Sequence, residues 1–202
     1  MTEPNADRQE LEERLDLMET MIAEGRQTAG HWGPIFVLWG VAFYVAFGWY
    51  MLEHHTRWAW PVTMIATFVL TRALHRRHRA GQPKTTAGRA IGSIWIAMVI
   101  SMFVLFLSIG YSGNVVPAGV QTATLATLLG MSNAACGMLL KWKEQFACAV
   151  VWWVSAATCC FGSATIATIG FMTATFLCWI VFGIYVIITE LRRPGHAGLT
   201  NA

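Results

Sequence analysis

The sequence predicts an all-α, polytopic membrane protein: a six-transmembrane-helix bundle with an N-terminal amphipathic cytoplasmic helix. Three observations carry that reading. The chain holds six apolar stretches, the Lys and Arg between them fall almost entirely on alternate sides, and no charged residue occupies the middle of any stretch. Residues 1–30 read as the acidic amphipathic helix, 31–190 as the transmembrane domain and 191–202 as a short cytoplasmic tail.

Composition supports a lipid environment. At 202 residues, 55% hydrophobic, 12% charged and with a mean hydropathy of +0.49, the chain is too apolar for a soluble domain that must keep a wetted surface. A span needs roughly 20 apolar residues at about 1.5 Å each to cross about 30 Å of hydrocarbon, which leaves room for six spans and little else. The net charge of +3 conceals a segregation: eight of the eleven acids lie within the first 24 residues. The basic remainder flanks the spans, so it reports orientation and does not suggest nucleic-acid binding. Acidic sequence before the first apolar run does not fit a signal peptide. All five cysteines lie inside spans four to six, and an odd number there reads as small packing residues, not a disulfide framework.

In residues 7–27, Leu11, Leu15, Met18 and Ile22 are spaced 4, 3 and 4 apart, the seam of an amphipathic helix. Its polar face is acidic and would be repelled by anionic headgroups, so the four apolar residues are candidates for docking on a protein surface or a second copy. Span one covers about 32–52 and span two about 58–74, joined by the short turn Glu53 to Arg57. Arg72, Arg76, Arg77, Arg79, Lys84 and Arg89 make the next loop the most basic segment, hence cytoplasmic. Spans three (about 90–110) and four (about 118–140) flank an uncharged turn, and Lys141 and Lys143 mark the return inside. The stretch 146–189 would reach about 65 Å as a single helix, so it must turn back near 162–165. Both termini then lie in the cytoplasm, and every Lys and Arg except Arg57 is inside. Trp49, Tyr50, Trp58, Trp60 and Tyr111 form an outer aromatic belt, with Trp32, Trp142 and Tyr185 on the inner side.

Span four is the most polar. On a helical wheel Gly119, Thr122, Ala126, Gly130, Asn133 and Gly137 share one face, and Gln121 lies toward the outer interface. Lipid supplies no hydrophobic drive between helices, so small residues that admit close backbone approach, and amides that find a partner, hold bundles together. This face therefore reads as a packing seam, placing span four at the bundle centre, or as a solute pathway. Asn133 at mid-depth requires a hydrogen-bond partner.

The exclusions are broad. His31, His54, His55, His75, His78 and His196 all lie at span ends or in loops, so a bis-His haem has no ligands at depth. Met131, Cys136, Met138, Cys148 and Cys178 offer soft donors toward the inner leaflet, but no CxxC or metal-binding tail accompanies them. No GxSxG, HExxH, Walker or GxGxxG motif is present, and Glu53, Glu144 and Glu190 are interfacial and isolated. The expectation is a non-enzymatic integral membrane protein of a bacterial-type inner membrane, without cofactor or metal. Its partners would be membrane lipid and, through the N-terminal helix, a protein or a second copy. The other reading is a small permease or channel for a neutral or apolar solute, with the polar face of span four as its path.

Overall fold

The computed structural model describes residues 12–16, 20, 32–53, 58–78, 86–112 and 116–192. The described residues are helical apart from short turns, with no strand, and among them are six long helices. These are α1 (Gly33–Leu52), α2 (Ala59–His78), α3 (Thr86–Ser112), α4 (Ala118–Leu139), α5 (Lys143–Phe161) and α6 (Ala164–Leu191). Four of them, α1, α3, α5 and α6, contain segments long and apolar enough to cross a membrane, and α2 carries a shorter apolar run, Ala59–Leu74. In α4 the Gln, Asn, Thr and Gly content dilutes the apolar character of a helix that is long enough, at 22 residues.

Local chemistry sets the ends. Pro34 sits in the first turn of α1, where a missing N–H costs nothing. The continuous apolar stretch after Phe146 breaks at Gly162 and Ser163, and the Ser163 hydroxyl accepts from Ile166 N at 3.4 Å to open α6. Between α4 and α5 the turn is tight. Lys141 adopts a left-handed φ of 48°, its N–H reaches Met138 O at 3.2 Å, and Trp142 N–H reaches Gly137 O at 2.8 Å. That pair of bonds is a Schellman closure, which returns the chain antiparallel after only three residues.

Two glycine-lined seams fix the packing. Along α4 and α5, a Cβ added at Gly119 would lie 2.7 Å from Cys159 O, and one at Gly137 would lie 2.8 Å from Phe146 N. At Gly130 it would meet the Trp153 ring at 2.6 Å. The pairs run in opposite senses along the two helices, so the hairpin is in antiparallel contact over its whole length. The second seam joins α1 to α6. Cβ atoms at Gly33 and Gly183 would each lie 3.0 Å from the other's carbonyl oxygen, and one at Gly40 would crowd Ile180 and Trp179. Beyond Gly40 on this seam, Tyr44 OH donates to Met172 O at 2.8 Å.

Helices α4 and α6 each touch three others, α4 meeting α3, α5 and α6, and α6 meeting α1, α4 and α5. Span four, expected at the centre of the bundle, shares that place with α6. Helix α6 alternates small residues (Ala167, Ala174, Cys178, Gly183) with large rings (Phe171, Trp179, Phe182), and so receives α1 while filling the core. Helix α3 is peripheral, with 11% of its apolar window buried, and presents Ile96, Ile100, Phe103 and Val104 outward. Such an apolar exterior suits lipid and not water.

The seams differ from open helix faces in what a methyl group does. Gly119→Ala and Gly137→Ala should each lower thermal stability in detergent by about 1–3 kcal/mol through overpacking against backbone. Gly48→Ala and Gly92→Ala, where no described neighbour lies within 4 Å, should be neutral or gain up to about 1 kcal/mol from helix propensity. Melting curves for the four variants in one detergent check this.

Candidate functional site

Nine residues of α4 are buried, and among them Ser132, Asn133, Ala134, Cys136 and Gly137 form a nearly continuous enclosed stretch. Within this stretch Asn133 is 1% exposed. Its Nδ2 donates to Leu129 O at 2.8 Å, one turn back on its own helix, and its Oδ1 accepts from Gln145 Nε2 at 2.8 Å. Gln145, 3% exposed, stands in the first turn of α5. The amide pair ties the two arms of the hairpin together close to the Lys141 turn. Sequence reading missed Gln145 because it follows Lys143 and Glu144 and so resembles an interfacial residue. The signal was available: the short turn and antiparallel return put position 145 opposite position 133.

The other residues of the span-four face divide by environment. Ala126 is fully enclosed, Gly130 and Gly137 are buried against Trp153 and Phe146, and Gly119 abuts the Cys159 carbonyl. Thr122 is half-buried and its hydroxyl turns back to Ala118 O at 2.9 Å. Gln121, also half-buried, donates to Val116 O at 3.2 Å and so serves the start of its own helix. The structure thus brings Asn133 and the glycines into one seam with α5. Gln121 and Thr122 satisfy themselves locally.

Of the proposed docking residues, Leu15 lies in a helical segment and is exposed. Leu11, Met18 and Ile22 lie outside the described residues. The soft donors do not gather: Met131 and Met138 face outward, while Cys136, Cys148 and Cys178 are buried. Cys178 Sγ donates to Cys148 O at 3.5 Å, linking α6 to α5. All five cysteines are free thiols, and no group of three His, Cys, Asp or Glu converges among the described residues.

A second feature, unremarked in the sequence, occupies the middle of the bundle. Phe43 of α1, Trp152 of α5, and Phe171 and Trp179 of α6 form a contiguous aromatic cluster. Its ring centroids lie 4.8 Å (Phe43–Trp179), 5.4 Å (Trp152–Phe171) and 5.8 Å (Trp152–Trp179) apart. Trp60 joins at Phe43, and Trp39 at Trp179. Edge-to-face geometry of this kind adds roughly 0.5–1.5 kcal/mol per pair beyond area burial. Trp179 stands on a π-helical turn, Phe176–Val181, that interrupts α6. The signal in the sequence was a departure from the interfacial belts: tryptophans at mid-span are out of place for residues that favour headgroup depth.

Comparison with protein-family models, with curated proteins and with solved structures yields no match.

The amide pair has a measurable coupling. Asn133→Leu or Gln145→Leu alone should destabilise the protein by about 1–3 kcal/mol, since each leaves a buried amide group unpaired. The double variant should cost less than the sum of the two, with a coupling energy of about 1 kcal/mol, as for other interhelical hydrogen bonds in membranes. Denaturation of all four species in one detergent closes the cycle.

Proposed function

We propose that this protein is a non-enzymatic, six-span subunit or scaffold of a membrane complex, with its N-terminal segment forming an amphipathic helix that docks a partner or a second copy. In this reading the six helices α1 to α6 are the spans, the membrane is a cytoplasmic one, and both termini lie inside. The observation that carries it is the segregation of charge: eight acids precede the bundle, and the Lys and Arg beyond them flank the helices on one side, Arg57 excepted. Leu15, helical and 55% exposed, is available to such a partner. An acidic face with an apolar seam suits a basic or amphipathic protein surface better than an anionic lipid one.

The permease reading places a solute path along the polar face of α4. Contact of Gly119, Gly130 and Gly137 with α5 favours a packing role for that face. The seam should therefore be dry. In a background without the native thiols, single cysteines at 119, 126, 130 and 137 should resist membrane-impermeant thiol reagents applied from either side. Labelling at every third or fourth position would instead restore the pathway.

Deletion of residues 1–27 tests the docking proposal. The particle purified in mild detergent should lose mass by light scattering, down to a single bundle, while helicity per residue in the membrane domain is unchanged. An unaltered mass beyond the deleted segment would reject the proposal.

A further inference from the structure

Of the ten tryptophans in the chain, Trp152 and Trp179 alone are buried, at 0% and 4% exposed. Trp152 is the tenth of nineteen residues in α5, and Trp179 lies just past the middle of α6, so both indoles sit at mid-depth. Trp39 Nε1 donates to Thr71 Oγ1 at 3.1 Å and Trp49 Nε1 to Glu53 Oε2 at 2.6 Å. By contrast, Trp152 Nε1 and Trp179 Nε1 have no hydrogen-bond partner among the described residues. Ser155, three residues on from Trp152, has the Cys159 thiol beside its hydroxyl. Elsewhere in the bundle buried polar side chains are paired: Asn133 with Gln145, Thr67 with Thr63 O and Thr175 with Phe171 O.

Two enclosed indole N–H groups without partners, side by side in one cluster, are a standing cost in hydrocarbon. A helical bundle that satisfies hydroxyls and amides along its length carries that cost where a ligand can meet it. The π-helical turn that bears Trp179 is a second pointer, because such turns interrupt α-helices frequently at functional sites.

We propose that Trp152, Trp179 and Ser155 form a mid-membrane binding site for a neutral hydrogen-bond acceptor, an oxygen carried by water or by the carbonyl of a small apolar solute. Two indole N–H groups can only donate, so the ligand must accept. No charged side chain lies in the middle of any span, so an ion would have no counter-charge there and the ligand is neutral. Trp152 is fully enclosed, so the occupant is small, with Phe43 and Phe171 against its apolar part. The site lies at the junction of α1, α5 and α6, away from the span-four seam, and does not depend on the docking role of the N-terminal helix.

The test reads the indole N–H signals by nuclear magnetic resonance of the full chain in nanodiscs, with Trp152→Phe and Trp179→Phe for assignment. Cyclohexanone and methylenecyclohexane serve as probes alike in shape, one with an acceptor oxygen and one without. The expected result is a downfield, hydrogen-bonded position for both indoles. A direct magnetisation contact with water identifies water as the occupant, and a shift produced by cyclohexanone but not by methylenecyclohexane identifies a solute carbonyl. Any spectrum lacking both the water contact and the ketone-specific shift overturns the site, ring-shielded upfield signals included, since those would mean that the donors rest on neighbouring π faces. Should either variant fail to fold, the wild-type spectrum still decides: a lipid-soluble relaxation agent broadens the eight tryptophans with exposed surface and leaves these two.

Discussion

Close backbone approach at glycine is the constraint on which the rest of this bundle depends. Lipid tails are as apolar as leucine, so burying apolar surface between helices gains little, and cohesion must come from van der Waals contact and hydrogen bonds. Gly119, Gly130 and Gly137 let α5 lie against α4 with its backbone nearly touching, and Gly33 and Gly183 do the same for α1 and α6. With both seams closed, α6 of one pair packs against α4 and α5 of the other, and the aromatic cluster is confined in its present geometry. Helices without such a seam, α3 above all, stay at the edge and give their side chains to lipid.

Polar groups in such an environment have few options, and the chain uses three. Most hydroxyls turn back to a carbonyl one turn earlier, as Thr63, Thr67, Ser101, Thr124, Thr127, Ser132, Thr168 and Thr175 do, which removes them from the account without engaging another helix. Asn133 and Gln145 pair across a helix boundary, which adds direction as well as energy and fixes the register of the hairpin beside its turn. The two buried indoles, Trp152 and Trp179, do neither. The contrast gives those two their interest: the same chain shows how it treats a polar group whose task is only to be buried.

How much of this was legible can be argued residue by residue. The break after Phe161 was readable because one helix over 146–189 would be twice as long as the hydrocarbon is thick, and Gly162 and Ser163 are its natural interruption. The seam of α4 was readable as small residues on one helical face, and Asn133 as a group in need of a partner. The partner was not readable from Gln145 itself, which sits in a charged first turn. It emerges only when the Lys141 closure sends α5 back along α4. The mid-span tryptophans were visible as letters but mute about their neighbours, since Trp152, Trp179 and Phe43 come from three helices, and Phe43 is more than 100 residues from Trp152.

By itself the sequence determined the helical class, the approximate bounds of the apolar helices and the distribution of charge around them. These follow from local composition and from the energetic penalty on unpaired backbone in hydrocarbon, which every apolar segment meets alone. Tertiary structure decided which helices pack together, which amide meets Asn133 and which indoles have no partner among the described residues. Those outcomes depend on where non-adjacent segments come to rest, and in lipid that is set by the fit of particular glycines against particular backbones, a property no single helix possesses.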